Sequence, residues 1–208
     1  MPSFRDTLAS SIFPAAIGML LMIFSASSQA QTVDGPVLIE ALKKGGYVIF
    51  VRHAATDPTT VDKEKPAVAD CSTQRNLSRQ GRIDARSLGQ AFDRLQIPVG
   101  QIFASPYCRT METARLAFGK AVPAEGLIEQ QPQTEITAKI AESGLRPYLM
   151  MTPATGTNTV LVSHGFNLKS ITGYGPVESE ASIFLANNDG SFSLIARVLI
   201  STWNTLKL

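Results

Sequence analysis

The sequence predicts an α/β fold of three layers, with a mainly parallel central sheet flanked by helices on both faces. Three observations predict it. Two short apolar runs rich in β-branched residues, Tyr47–Arg52 and Asn158–Ser163, each break into a loop beginning with a small residue nearby, as buried strands do. Segments of helical period lie between them. Strand and helix therefore alternate, and that alternation places helices over both faces of a parallel sheet.

Residues 1–30 are set apart from the fold. Arg5 gives a weakly basic start, Ile12–Phe24 is apolar, and Ser28-Gln29-Ala30 forms a small-x-small cleavage site before Gln31. The apolar stretch is shorter than the roughly 20 residues a membrane span needs. The expectation is a cleaved secretory signal, a periplasmic or secreted product, and no stable membrane span after cleavage. Residues 31–208 then form a single domain, long enough to bury a core. Net charge is +2, with 19 basic and 17 acidic side chains, and this balance gives no argument for nucleic-acid binding. Cys71 and Cys108 are the only cysteines; in an exported chain they are either a disulfide or two thiols.

Pro36–Lys44 reads as a helix stopped by Gly45-Gly46, and Tyr47–Arg52 as the first strand. Thr56–Ser72 is a polar loop with two prolines. Ser78 has the form of an N-cap for a helix to about Leu95. Gln101–Ala104 is a short strand, and Ser105-Pro106 has the form of an N-cap followed by an N1 proline, opening a helix to about Phe118. Residues 133–150 are helical in pattern, with Gly144 and Pro147 as breaks. Asn158–Ser163 is the third strand. Ala181–Ala186 and Phe192–Ile200 pair as a hairpin across Asn187–Gly190.

The chain has two histidines, and each ends a predicted strand: His53 after Arg52, and His164 after Ser163. In parallel sheets ligands bind beyond the carboxyl ends of the strands. The ends at Arg52-His53, Ser105 and His164 converge on one crevice if their strands are neighbours. Imidazole is a neutral nucleophile or a cation near pH 7. Arg52 and Arg109 offer guanidinium forks to phosphate oxygens, and a helix N-terminus adds free N–H groups. This set suits phosphoryl transfer. No metal or other cofactor is expected, since two histidines without clustered carboxylates are poor ligands.

Four motifs, in order, carry a family resemblance. They are Arg52-His53-Ala54-Ala55-Thr56, Leu77-Ser78-Arg79-Gln80-Gly81-Arg82, Ser105-Pro106 through Arg109 to Thr113-Ala114, and Val162-Ser163-His164-Gly165. Together they resemble the histidine phosphatase superfamily, its phosphoglycerate mutase-like branch 1. The short interval from Arg109 to His164 resembles the small phosphohistidine and sugar-phosphate phosphatases, and a lipopolysaccharide core heptose phosphatase is an exported precedent. The resemblance implies that His53 attacks phosphorus, and that Arg52, Arg109 and His164 bind the non-bridging oxygens, with Thr56 as a further phosphate contact. It implies a metal-independent phosphomonoesterase acting on a small phosphorylated substrate, a sugar phosphate or envelope glycan phosphate. A mutase-like phosphotransferase and a non-catalytic phosphate-ligand binder are the alternatives.

The proton donor departs from the family pattern. Gly165, not aspartate, follows His164. Glu180, just before a predicted strand, is the favoured acid, ahead of Glu129, with Asp57 and Asp70 on the loop near His53 also considered.

Overall fold

The computed structural model describes residues 35–63, 67–68, 70–130 and 133–207. The expected signal segment lies outside them. In chain order the elements are α1 (Gly35–Lys44), β1 (Val48–Arg52), α2 (Arg79–Arg94), β2 (Val99–Ala104), α3 (Cys108–Phe118), β3 (Val122–Pro123), α4 (Glu135–Leu149), β4 (Asn158–Ser163), α5 (Gly165–Thr172), β5 (Ala181–Ala186), β6 (Phe192–Val198) and α6 (Ile200–Thr205). Among the described residues no helix is long and apolar enough to cross a membrane.

The six strands form one sheet in the order β3-β2-β4-β1-β5-β6. The pairings β3-β2, β2-β4 and β4-β1 are parallel, and β1-β5 and β5-β6 are antiparallel. The central strands are apolar without polar alternation because both faces are covered. Successive side chains of a strand point to opposite faces, and the two cores divide accordingly. Ile49, Val51, Val160 and Val162 pack with Leu42 of α1, Phe92 of α2 and Trp203 of α6. Val48, Phe50 and Leu161 pack with Leu145 and Leu149 of α4 and Leu168 of α5. The predicted three-layer architecture is the observed one.

Local chemistry accounts for most boundaries. The Ser78 hydroxyl accepts from Gly81 N at 3.0 Å and caps α2. α6, too short to be read from periodicity, is held onto α2. The Phe92 and Trp203 rings lie 5.0 Å apart, and Arg94 donates to the carbonyls of Trp203 and Leu206. Ile200 therefore belongs to this helix rather than to the hairpin strand.

Two further expectations need correction. Ser105-Pro106 does not open α3; the helix begins at Cys108, and Ser105 bonds elsewhere. Gly144 and Pro147 do not break α4, which is continuous to Leu149. Pro147 costs about 3 kcal/mol in a helix interior. Leu145 and Leu149 are fully buried around it, and each contributes about 1.5–3 kcal/mol, so the core holds the last turn. Gly144 is a packing residue: a methyl there would stand 2.5 Å from the Gly126 carbonyl oxygen.

Gly144→Ala tests this contact. Alanine gains about 1 kcal/mol in helix propensity, whereas overpacking against backbone costs about 1–3 kcal/mol. The steric cost wins, and the urea midpoint is expected to fall; a rise would show that α4 is free to move off Gly126.

Candidate active site

Parallel pairing of β1 with β4 brings the two histidines together. Arg52 is in register with Ser163, and His53 N donates to the Ser163 carbonyl at 3.0 Å. His53 and His164 follow these strand ends, with ring centroids 5.5 Å apart. β2 lies on the other side of β4, so Ser105 at its end reaches His164 Nε2 at 2.9 Å. This hydrogen bond replaces the capping role expected for Ser105.

The motif residues around the histidines clasp one another. Ala54 N donates to Thr113 Oγ1 at 3.0 Å, which joins the loop after His53 to α3. Ser78 N and Oγ both donate to the Ala55 carbonyl, which joins the same loop to the start of α2. The described structure contains a Cys71–Cys108 disulfide, Cα–Cα 5.7 Å. Beside it Gln74 Oε1 accepts from Cys108 N at 2.8 Å and so caps the start of α3. The bridge fastens the Thr56–Ser72 loop to the turn of α3 that carries Arg109.

Arg109 is 1 % exposed, and its guanidinium is held by Asp62 Oδ1 at 3.1 Å and Glu129 Oε2 at 3.0 Å. Arg52 donates to the Pro176 carbonyl at 2.9 Å and lies 3.8 Å from Glu178 Oε1. A larger residue at 165 would crowd it, because a methyl on Gly165 would stand 3.2 Å from Arg52 Nη1. Three buried nitrogens at the site, Arg52 Nε, Arg109 Nε and His164 Nδ1, have no hydrogen-bond partner among the described residues. An oxyanion satisfies such donors.

The protonation state of His53 follows from its contacts. Its Nδ1 lies 3.0 Å from the Ala54 carbonyl. A carbonyl only accepts, so Nδ1 carries the hydrogen and the neutral ring keeps its lone pair on Nε2. Burial, and then the Arg109 guanidinium, push the His53 pKa well below the usual histidine range. The same two causes, in the same order, depress His164. Both rings are neutral at pH 7, so their approaches to Glu178 (3.9 Å) and Glu129 (3.5 Å) are not ion pairs.

The structure does not bring Glu180 to the pocket. Its buried carboxylate accepts from Tyr174 Oη at 2.8 Å and Val177 N at 3.1 Å. Ser179, between Glu178 and Glu180, has φ 66°, a left-handed conformation rare for a residue with a side chain. That turn sends the two glutamates in different directions. Glu178, which sequence reasoning missed, is the one that meets Arg52, Arg75 and His53. Its position two residues before Glu180 was the available signal. Thr56 donates to Glu178 Oε1 at 2.7 Å, so its hydroxyl is engaged there rather than left for phosphate. Asp57 and Asp70 accept hydrogen bonds from Thr59 and Ser72 in local turns. Glu129 is placed deliberately: Ser163 Oγ and Asn167 Nδ2 bond the Leu127 and Ile128 carbonyls just before it.

Among the described residues no group of His, Cys, Asp and Glu has the arrangement to hold a metal ion. A small polar cavity of about 210 Å³ opens beside Arg52 and Glu129. A wider groove of about 830 Å³ runs along the outer side of α3 near the disulfide and includes neither histidine.

The buried rings set a pH dependence of stability. Their folded pKa values lie below the unfolded value near 6.5, so the unfolded chain takes up protons that the folded site refuses. The associated stability is complete above about pH 6.5 and is lost as pH falls below it. Each ring contributes a slope of up to about 1.4 kcal/mol per pH unit. Urea unfolding between pH 7.5 and 5 should show this decline, and His164→Gln should flatten it by about one proton. Rising stability on acidification through this range would mean the rings protonate readily in the folded protein.

Comparison with known proteins places this geometry. Residues 48–136 match the model of the histidine phosphatase superfamily, branch 1. No curated protein gives a significant sequence match. Solved structures with the same fold include the protein histidine phosphatase SixA complexed with tungstate, at TM-score 0.52 and 13 % identity, covering 74 % of this chain and 97 % of that one. Rv3214 from Mycobacterium tuberculosis aligns at TM-score 0.55 and 17 % identity, covering 74 % of this chain and 97 % of its own. Bacillus stearothermophilus YhfR aligns at TM-score 0.54 and 15 % identity, over 71 % and 94 % of the two chains. Four motifs are assembled around two strand-end histidines and the family model matches across the first three of them, so in these residues the chain is similar to the histidine phosphatase superfamily, branch 1.

Proposed function

We propose that the protein is a metal-independent phosphomonoesterase that works through a phosphohistidine on His53, outside the cytoplasm. One observation carries this reading. His53 Nδ1 is fixed on the Ala54 carbonyl, which leaves a neutral Nε2 nucleophile in a buried site beside two arginines. The fold shared with SixA, whose structure holds the oxyanion tungstate, supports it. Arg52, Arg109 and His164 bind the three non-bridging oxygens and stabilise charge as it develops.

Glu129 is the proton donor in this reading, and Glu178 holds Thr56 beside Arg52. Glu129 lines the open cavity beside Arg52, whereas Glu178 lies on the Nδ1 side of His53, away from the lone pair. When phosphate takes the Arg109 guanidinium, Glu129 is released from that contact and is free to face the leaving oxygen. His53 Nε2 bonds to phosphorus as the leaving oxygen departs with the Glu129 proton. The resulting carboxylate then takes a proton from water, whose oxygen attacks phosphorus and releases His53. Export is supported by the signal-like residues 1–30 and by the disulfide, which persists in oxidising compartments.

Hydrolysis of p-nitrophenyl phosphate in the presence of EDTA tests the chemistry. Turnover is expected for the wild type and none for His53→Ala. Glu129→Gln should slow an alkyl phosphate by about 10²–10⁴-fold, the usual contribution of general acid catalysis. It should slow p-nitrophenyl phosphate much less, because nitrophenolate departs without a proton. Tight vanadate binding without turnover would point instead to a phosphate-ligand binder. Export predicts that chain recovered from the periplasmic or secreted fraction begins at Gln31; full-length chain confined to the cytoplasm would count against it.

A further inference from the structure

The cavity beside the reacting centre holds one cation that the mechanism does not use. Its lining includes Arg52, Glu129, Gln133, Gly165, Lys169 and Gly175. Lys169 lies on α5, four residues after Gly165, so the two share a helix face. The other basic side chains around the site each have a carboxylate: Arg52 and Arg75 have Glu178, and Arg109 has Asp62 and Glu129. Lys169 is exposed and has no ion pair among the described residues. Its stem passes close to Gly175, where a methyl would stand 3.6 Å from Lys169 Cδ, so a larger residue at 175 would fill the cavity edge against it.

We infer that this cavity receives the leaving group, and that Lys169 selects a small leaving group with an anionic charge of its own. The inference rests on the phosphomonoesterase reading and narrows it. A cavity of about 210 Å³ is below the roughly 300–1,000 Å³ of pockets that enclose drug-sized ligands, so the leaving group is small. Arg52 and Glu129 contribute to both the cavity and the reacting centre, so whatever occupies the cavity is attached to the phosphoryl group. A carboxylate and a second phosphate share this chemistry, whereas a neutral sugar leaves Lys169 without a partner.

A matched pair of substrates tests the inference. Phosphoglycolate and 2-hydroxyethyl phosphate differ only in a carboxylate against a hydroxymethyl group, and ethylene glycol bisphosphate supplies the phosphate alternative. The readout is the ratio of kcat/KM for each anionic ester to that of 2-hydroxyethyl phosphate. An exposed ion pair yields up to about fivefold, so the wild-type ratio should lie between about two and five for the carboxylate, the bisphosphate or both. It should fall to about one in Lys169→Gln and below one in Lys169→Glu. The larger of the two ratios identifies the anion. A wild-type ratio at or below one, or a ratio that neither variant moves, overturns the inference while leaving the phosphatase reading intact. Absence of wild-type turnover of all three esters while p-nitrophenyl phosphate is hydrolysed overturns the inference alone; absence of turnover of all four overturns both.

Discussion

The parallel pairing of β1 with β4 is the constraint on which the rest of the site depends. Parallel strands end together at their carboxyl termini, so the residues that follow them share one crevice. The register Arg52↔Ser163 makes His53 and His164 neighbours without any further device. Both strands are buried along their length, apart from partial exposure at Arg52. A slip of one residue would turn every apolar side chain to the wrong core. The cores of the two faces therefore fix the geometry of the imidazole pair. Placement of the imidazole pair and hydrophobic packing are here the same interaction.

Arg109 sets the second constraint. A guanidinium at 1 % exposure is costly to desolvate unless it is paired. Asp62 and Glu129 supply the pairing in the unliganded protein. They approach it from different segments, one from the disulfide-fastened loop and one from the segment before α4. In the proposed phosphatase, phosphate that binds Arg109 competes with at least one of them. The loop is held near by the disulfide and by Gln74 on Cys108 N, so Asp62 stays close when displaced.

Most of the fold was legible in the sequence because its signals are local. The apolar runs at residues 47–52 and 158–163, the Ser78 cap and the hairpin signal at Asn187–Gly190 each depend on adjacent residues. α5 and α6 were not legible, being eight and six residues long and defined by what they pack against. Gly144 reads as a break because its reason, the Gly126 carbonyl, lies in another segment. The histidines and arginines were legible because strand ends and the first turn of a helix place them. The acid was not. Glu129 and Glu180 are alike in sequence, and only the Ser163 and Asn167 bonds to the preceding carbonyls distinguish the one that reaches the pocket.

The mixed character of the sheet explains where the carboxylates come from. A parallel strand delivers its carboxyl end to the crevice, and here those ends carry Arg52, Ser105 and the two histidines. β5 runs antiparallel to β1, with Ala181 opposite Val51, so it delivers its beginning instead. Residues just before Ala181 must then pass the pocket, and Glu178 is among them. The left-handed turn at Ser179, with Ser179 N bonded to the His53 carbonyl, is what lets that lead-in reach His53 and still enter the strand in register. Such a conformation costs of order 1–3 kcal/mol and persists only where its surroundings over-determine it. Here the Tyr174 and Val177 bonds to Glu180 on one side, and the Thr56 bonds to Glu178 on the other, hold it in place. Glu180 is thus structural for the same reason that Glu178 is at the site: each anchors one end of a single strained turn.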